Sequence, residues 1–232
     1  MEENNSHVAL DAALRSLLLE GVPSRPFVCS GSPFNCDVAI VGINPATTTS
    51  FWKHWSIKDG FNRTAWIAEY NADPVNRRRQ TRPRIERLVQ SLASIRIVEF
   101  NAYPYATASE QELTSKLRDT RVLELLLQVA RPRLVFVFGK SPSIEFSKLL
   151  EIPLLERGMF TPCNFANHSF TVLYESHLSR GWSYERIEQL AQKISTHLSS
   201  AEGRSKSASQ VLENNTSTPT PSEFGSKGPG SD

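Results

Sequence analysis

Four polar residues of this sequence each stand at the end of a short apolar run, and together they could bind and orient a ligand. Asn44 follows VAIVGI, Asn101 lies within RIVEFNAY, Lys140 follows LVFVFG and His177 ends FTVLYESH. Their amide, ammonium and imidazole groups donate or accept hydrogen bonds, and Lys140 with the neighbouring hydroxyls suits a phosphate. No carboxylate pair and no thiol partner accompanies them. Taken alone, each residue also has a structural explanation, such as Asn44 starting a turn before Pro45.

The four apolar runs, residues 38–43, 96–103, 134–139 and 170–177, are typical of strands that are buried on both faces. Helical patterns are predicted at residues 8–21, 83–95, 110–130, 141–150 and 184–198. This alternation predicts an α/β fold, a three-layer α/β/α sandwich around a four-stranded, mainly parallel sheet. Because such sheets bind ligands beyond the carboxyl ends of their strands, we expect the four polar residues to share one rim.

Composition restricts the class of protein. With 232 residues, of which 39% are hydrophobic and 22% charged, the chain predicts one folded domain, and we expect a monomer. No apolar run reaches the roughly 18–20 residues of a membrane span, and MEENNSHVAL lacks a signal-peptide pattern, so we expect an intracellular protein without a membrane partner. Residues 199–232 are rich in Ser, Thr, Pro, Gly and Asn, which predicts a disordered tail.

Neither a disulfide framework nor a metal site is predicted. The three cysteines, Cys29, Cys36 and Cys163, are odd in number and show no C-x-x-C spacing. The segment FGKSPS lacks the G-x-x-x-x-G-K-[ST] frame of a Walker loop. We therefore expect no metal and no nucleotide-binding loop of that type.

In order and spacing, four short motifs resemble those of the uracil-DNA glycosylase superfamily. They are G-I-N-P after the first strand, Asn101 ending the second, Gly-Lys after the third and His-x-Ser-Arg after the last. The asparagine in the first motif resembles the mismatch-specific and single-strand-selective branches. The resemblance spans about residues 25–198, which leaves residues 1–24 as an N-terminal helical segment. It implies that a nucleotide is flipped out of DNA and its N-glycosidic bond hydrolysed, leaving an abasic site, without metal or cofactor.

The resemblance implies a role for each matching residue. Asn44 would position the attacking water, and Gly42 and Pro45 would shape the loop that holds it. His177, if neutral, would donate a hydrogen bond to the negative charge that grows on the departing base. Asn101 would read the hydrogen-bonding edge of the base.

A flipped base also needs an apolar surface to contact. We expect it to touch Ile43 and to stack on a ring of the segments SFWKHW and DGFNRTAW. Trp55 is favoured by its spacing from Asn44, while Phe51, Trp52 and Phe61 stay open. The alternative is that these rings cover the following helix.

The segment after His177 resembles the loop that such enzymes insert into the duplex, with Leu178 or Arg180 as the wedge. Backbone contacts are expected from Lys140, Ser141 and Ser179, and from an arginine-rich run. That run contains one acid, Glu86, and six arginines: Arg77, Arg78, Arg79, Arg82, Arg84 and Arg87. Its concentrated positive charge fits a DNA partner, although a solvated surface segment explains it as well.

The departures from the motifs leave the target base open. Ala46 and Leu178 stand where related sequences usually carry Gly and Pro, so a modified or deaminated base fits as well as uracil, in repair or in defence against foreign DNA. Neither Lys53 nor Lys140 has sequence neighbours that would activate its amine, which indicates a monofunctional enzyme. Two alternatives are a noncatalytic nucleic-acid-binding module of the same fold and a nucleotide or nucleoside hydrolase.

Overall fold

A computed structural model describes residues 2–47 and 49–215 of the chain, with side chains described for residues 5–47 and 49–200. Along the chain, the structure has the helices α1 (Glu2–Leu17), α2 (Arg63–Ala72), α3 (Pro74–Arg77), α4 (Thr81–Ser91), α5 (Arg121–Ala130), α6 (Lys140–Leu149) and α7 (Tyr184–Asn215). The strands are β1 (Phe27–Cys29), β2 (Val38–Gly42), β3 (Trp55–Ser56), β4 (Gly60–Phe61), β5 (Ile97–Asn101), β6 (Leu134–Phe138), β7 (Phe160–Phe165) and β8 (His168–Glu175). Two 3₁₀ turns cover Glu110–Glu112 and Ser115–Leu117.

The predicted α/β class is confirmed, because a six-stranded, mostly parallel sheet is combined with helices. The strand order is β1-β5-β2-β6-β8-β7. The inner four strands are parallel to one another, and β1 and β7 pair antiparallel at the two edges. Both β2 and β6 are buried at every residue, as expected for strands that are covered on both faces.

The predicted count of four strands is wrong, because the four inner strands have two additional neighbours. β1 is three residues long, which is too short for a periodic pattern. β7 contains Pro162, a residue that weakens a strand prediction but is tolerated at a sheet edge. The β7–β8 hairpin turns through Ala166 and Asn167, which both have positive φ, and this pair is not the Asn-Gly signature of such turns.

The helix predicted over residues 110–130 is shorter than expected. The two 3₁₀ turns occupy its first half, and α5 begins at Arg121. The short polar side chains of this segment compete for backbone hydrogen bonds, as Asp119 shows by accepting one from the backbone N–H of Arg121. Arg131 then ends α5 in the left-handed conformation.

The chain divides into two compact units, residues 1–192 and 193–232. Helix α7 spans Tyr184–Asn215, so helix continues past residue 199, where the sequence predicts a disordered tail to begin. The remainder of that predicted tail, residues 216–232, lies outside the described residues. Within the described part of the chain, no helix has the length and apolar character needed to cross a membrane.

Candidate active site

A cleft lies at the carboxyl ends of β2 and β6. After β2 the chain continues to β5 on one side, and after β5 it returns to β6 on the other side of β2. The connection from β2 to β5 and the connection from β5 to β6 therefore run in opposite directions across the sheet. The crevice between the adjacent strands β2 and β6, where this direction reverses, is where open α/β sheets bind ligands. The cleft has a volume of about 620 Å³. Ten of the predicted site residues line it: Gly42, Ile43, Asn44, Arg79, Arg82, Asn101, Lys140, Ser141, His177 and Ser179.

The amide of Asn44 is held in one orientation. The Thr107 hydroxyl donates its hydrogen to the carbonyl oxygen of Ser109 at 2.7 Å. The Thr107 hydroxyl oxygen is therefore the acceptor of the hydrogen bond that Asn44 Nδ2 donates at 2.8 Å. A second contact of Nδ2 to the Pro45 carbonyl oxygen, at 3.2 Å, favours the same orientation. The Asn44 Oδ1 accepts no hydrogen bond from the described residues, and it is therefore an acceptor that a ligand or water can use.

Backbone contacts position the loop that carries Asn44. The carbonyl oxygens of Gly42 and Ile43 accept hydrogen bonds from the N–H groups of Ala102 and Tyr103, each at 2.9 Å. The loops after β2 and β5 are thus tied together just beyond the sheet. Farther along, the buried Asn76 of α3 donates to the Thr47 hydroxyl at 3.2 Å.

Asn101 presents an unpaired donor at the cleft. Its side chain is 5% exposed, and its Nδ2 has no hydrogen-bond partner among the described residues. A buried amide donor without a partner costs on the order of 1–3 kcal/mol, so a ligand acceptor would recover that free energy. Gly42 leaves room for this side chain, because a Cβ at residue 42 would lie 3.0 Å from Asn101 Oδ1 and 3.0 Å from Phe138 Cζ.

His177 is a neutral imidazole whose proton lies on Nε2. Its Nδ1 accepts the backbone N–H of Ser179 at 3.1 Å and lies 2.7 Å from the Ser179 hydroxyl, so Nδ1 carries no proton. Desolvation and, secondly, the positive charge of Arg180 lower the pKa of His177 below its ordinary value. The ring packs edge-on against Phe138, with centroids 5.6 Å apart.

The N-terminus of α6 forms another part of the rim. Gly139 precedes the helix with φ +106°, a conformation that other residues rarely adopt, and a Cβ there would lie 3.3 Å from His177 Cδ2. Lys140 and Ser141 follow as the first helical residues, and Lys140 is exposed. The helix therefore brings an ammonium group and unpaired backbone N–H groups to the cleft.

The aromatic residues predicted to stack on a base lie in the hydrophobic core. Phe51, Trp55 and Phe61 are at most 8% exposed and do not line the cleft. Phe51 and Trp55 pack against Phe27 of β1, with ring centroids 4.9 and 5.4 Å from it. Trp55 also donates its indole N–H to Asp11 of α1 at 3.0 Å. Burial against β1 and α1 thus explains why these rings do not face the cleft.

The loop after His177 also differs from the expectation. The Leu178 side chain is fully buried, so it does not project as a wedge, whereas Arg180 is exposed.

The arginine-rich run divides between structural and exposed positions. Arg77 and Arg78 are exposed, Arg79 lines the cleft, and Arg82 belongs to a buried ion-pair network. Arg84 donates to the Trp182 carbonyl oxygen at 2.8 Å. Arg87 pairs with Glu188 of α7. The run therefore mixes exposed arginines with arginines that make structural contacts, and its expected contact with DNA stays a prediction.

Sequence reasoning missed several cleft residues. Arg25, Tyr70 and Phe138 line the cleft, and Thr107 holds Asn44 in place. Phe138 could have been found as the last residue of β6, one position before Gly139. The other three carry no local signal, because they reach the site from segments distant along the chain.

Within the described residues, no group of three or more His, Cys, Asp or Glu side chains lies close enough to hold a metal ion. The three cysteines are free thiols in the described structure. A search of protein-family models found no match to this chain. A search of curated proteins also found no match.

Proposed function

We propose that this protein is a monofunctional DNA glycosylase of the uracil-DNA glycosylase superfamily type, which flips a damaged or modified base out of DNA and hydrolyses its N-glycosidic bond. One observation carries the proposal. An asparagine with an unused amide oxygen and a histidine with an Nε2 proton line the same cleft, at the position where the fold favours ligand binding.

The two groups suit the two charges of the reaction. As the glycosidic bond breaks, positive charge grows on the sugar and negative charge grows on the base. In the proposed mechanism, the Asn44 Oδ1 accepts a hydrogen bond from the attacking water and orients it toward the sugar carbon. His177 donates its Nε2 proton in a hydrogen bond to the base carbonyl oxygen that becomes anionic, and Asn101 Nδ2 donates to another acceptor on the base edge.

An amide orients water without removing its proton, so the water loses that proton only after it has bonded to the sugar carbon, and the departed base anion takes the proton up through solvent. The proposed enzyme therefore depends on a leaving base that accommodates negative charge, which favours modified or deaminated bases over ordinary ones. Phe138 and Tyr70 are the aromatic residues that line the cleft, and in this proposal they replace the predicted rings as surfaces against which a flipped base packs.

The remaining parts of the proposal concern DNA, the fold and the chemistry of cleavage. Arg77, Arg78 and Arg180 are exposed cations that would contact phosphates around the cleft, together with Lys140.

The crossovers from β2 to β5 and from β5 to β6 run in opposite directions across the sheet, so right-handed connections would place α4 and α5 on opposite faces, as in a three-layer sandwich. We propose an intracellular monomer that leaves the abasic site intact.

An excision assay tests the proposal. Oligonucleotides that each carry one altered base, including uracil, hypoxanthine and modified cytosines, would be incubated with the protein and scored for alkali-labile breaks. We expect breaks at one base, no breaks without alkali, and loss of excision with retained DNA binding in Asn44→Ala. The matched control is Asn71→Ala, which removes an exposed asparagine that does not line the cleft. Full excision by Asn44→Ala would refute the assigned role.

A further inference from the structure

One wall of the cleft, to which α2, α4 and the segments before α4 and before β1 contribute, carries a cluster of three guanidinium groups. Arg25, Arg79 and Arg82 all line the cleft, and so does Tyr70. Arg82 lies 5.7 Å from the centre of the Tyr70 ring. Arg25 and Arg82 both stack on Trp66, at 5.4 and 5.1 Å.

The phenol of Tyr70 stands near all three charges. Burial raises the pKa of Tyr70, and the charges of Arg82, Arg79 and Arg25 act in the opposite direction. Its side chain is 4% exposed. Its hydroxyl makes no hydrogen bond to any described residue, so it is a donor available to a ligand.

Carboxylates neutralise one of the three arginines. Arg82 pairs with Glu99 at 2.7 Å and with Glu86 at 3.0 Å. Among the described residues, neither Arg25 nor Arg79 forms a salt bridge, and the Arg79 Nε is buried without a hydrogen-bond partner. Two guanidinium groups on this wall are thus not paired directly with a carboxylate of the described residues.

Burial and the neighbouring arginine both act on the pKa of Arg25. Burial and, secondly, the charge of Arg82 lower the pKa of Arg25 to about 10. The nearby Glu99 acts in the opposite direction without cancelling these effects. Among the residues that line the cleft, the one carboxylate is Glu110, which lies 3.9 Å from Arg118.

The first turn of α4 adds to the positive potential. Gln80 precedes this 11-residue helix without a side-chain cap, and Gln80 and Thr81 both line the cleft. The uncapped N–H groups of a helix N-terminus favour an anion.

We propose that Arg25, Arg79 and the Tyr70 hydroxyl form a subsite for a phosphate group of the ligand that occupies this cleft. The two guanidinium groups offer paired donors to phosphate oxygens, and the phenol donates to a third oxygen. The inference deepens the proposed function, because in a glycosylase this phosphate is a phosphodiester beside the flipped nucleotide. The terminal phosphate of a free nucleotide presents the same chemistry.

Binding of inorganic phosphate tests the subsite without any excision. Calorimetric titration of the purified protein with phosphate, at constant ionic strength with chloride as the replaced anion, would be compared among variants. We expect at least a tenfold weaker phosphate affinity in Arg79→Gln and in Arg25→Gln, and a several-fold loss in Tyr70→Phe. The matched control, Arg131→Gln, removes an exposed arginine outside the cleft and should bind phosphate as the native protein does.

Two results would overturn the subsite: no phosphate binding by the native protein, or equal binding by all variants. Tyr70→Phe removes one oxygen atom, so it keeps the test valid if Arg25→Gln fails to fold. An excision-active protein that fails this titration would lose the subsite and keep the proposed function.

The source of the phosphate is resolved in a second comparison. If a phosphodiester occupies the subsite, replacing that one phosphate in a single-stranded oligonucleotide by an uncharged methylphosphonate should weaken binding to the native protein and leave Arg79→Gln unaffected. If a terminal phosphate occupies it, a 5′-nucleoside monophosphate should bind at least tenfold more tightly than its nucleoside, and the methylphosphonate should have no effect at any position. Insensitivity to both changes would contradict the subsite.

Discussion

The buried ion-pair network beneath the cleft should be essential for stability, and its two carboxylates should differ in importance. Glu99 of β5 accepts hydrogen bonds from Arg82 at 2.7 Å and from Arg63 at 3.1 Å. Glu86 of α4 accepts from the same arginines, at 3.0 and 2.8 Å. The Glu99 side chain is 5% exposed and the Glu86 side chain is 22% exposed. Each of the two variants, Glu99→Gln and Glu86→Gln, therefore removes one negative charge from the same two arginines. The two charges differ in how deeply they are buried.

The expected magnitudes follow from desolvation. Removing one partner of a buried ion pair costs about 3–5 kcal/mol, because the other charge stays buried without compensation. We expect Glu99→Gln to lower the free energy of unfolding by that amount. The more exposed Glu86 is partly screened by water, so its removal should cost only about 1 kcal/mol. Relative to a total stability of roughly 5–15 kcal/mol, the first loss is large.

Urea unfolding at pH 7, followed by circular dichroism, measures both values. Equal losses in the two variants, or a loss below about 1 kcal/mol for Glu99→Gln, would refute the reasoning that burial decides the contribution. Measurement against pH adds a second check. Burial alone would raise the pKa of Glu99, but the charges of Arg82, Arg63 and Arg25 outweigh it and hold that pKa below its ordinary value.

The sign of the pH dependence follows from that lowered pKa. A carboxylate with a depressed pKa in the folded state contributes stability above its unfolded pKa of about 4.3, and this contribution is lost as the pH falls through the folded pKa. The difference in stability between the native protein and Glu99→Gln should therefore be constant near neutrality and shrink below about pH 4.

Two further predictions concern the rate of excision, measured under single turnover on the base identified by the panel. Thr107→Val removes the nearest of the acceptors that orient the Asn44 amide, so excision should slow about fivefold, the value of one hydrogen bond of roughly 1 kcal/mol, with unchanged DNA affinity. An unchanged rate would show that Thr107 does not orient the amide. Because the pKa of His177 is lowered, the excision rate should stay constant as the pH falls from 8 to about 6.5 and decline only below it. A decline that begins above pH 7 would contradict a neutral donor at His177.

The inner part of the sheet could be predicted because its signal is local. Each of the four parallel strands carries its apolar run within five to eight residues, and strand alternation with helices implies a parallel order. The edge strands lack such a local signal, and their identification depends on contacts with neighbouring strands. β1 is three residues long and is recognisable as a strand only through its pairing with β5.

The residues of the candidate site likewise divide into those that the sequence could predict from local patterns and those that it could not. Asn44, Asn101, Lys140 and His177 follow strands, so topology alone brings them to one cleft. The stacking ring could not be found by spacing, because Trp55 fills core space against β1, and no local pattern distinguishes an aromatic residue that faces a ligand from one that faces the core. Thr107 likewise acts through contacts with a residue 63 positions away.

The charge of the cleft bears on which substrate it can serve. A glycosidic transition state places positive charge on the sugar, and uncompensated guanidinium groups nearby would disfavour that charge. The phosphate bound jointly by Arg25 and Arg79 in the proposed subsite would offset part of their positive charge and supply negative charge near the sugar. A nucleoside without phosphate leaves the arginines uncompensated. In the proposed glycosylase, this arrangement would favour a phosphate-bearing substrate over a free nucleoside. Excision from DNA should therefore be much faster than cleavage of the matching nucleoside, and equal rates would contradict the electrostatic argument.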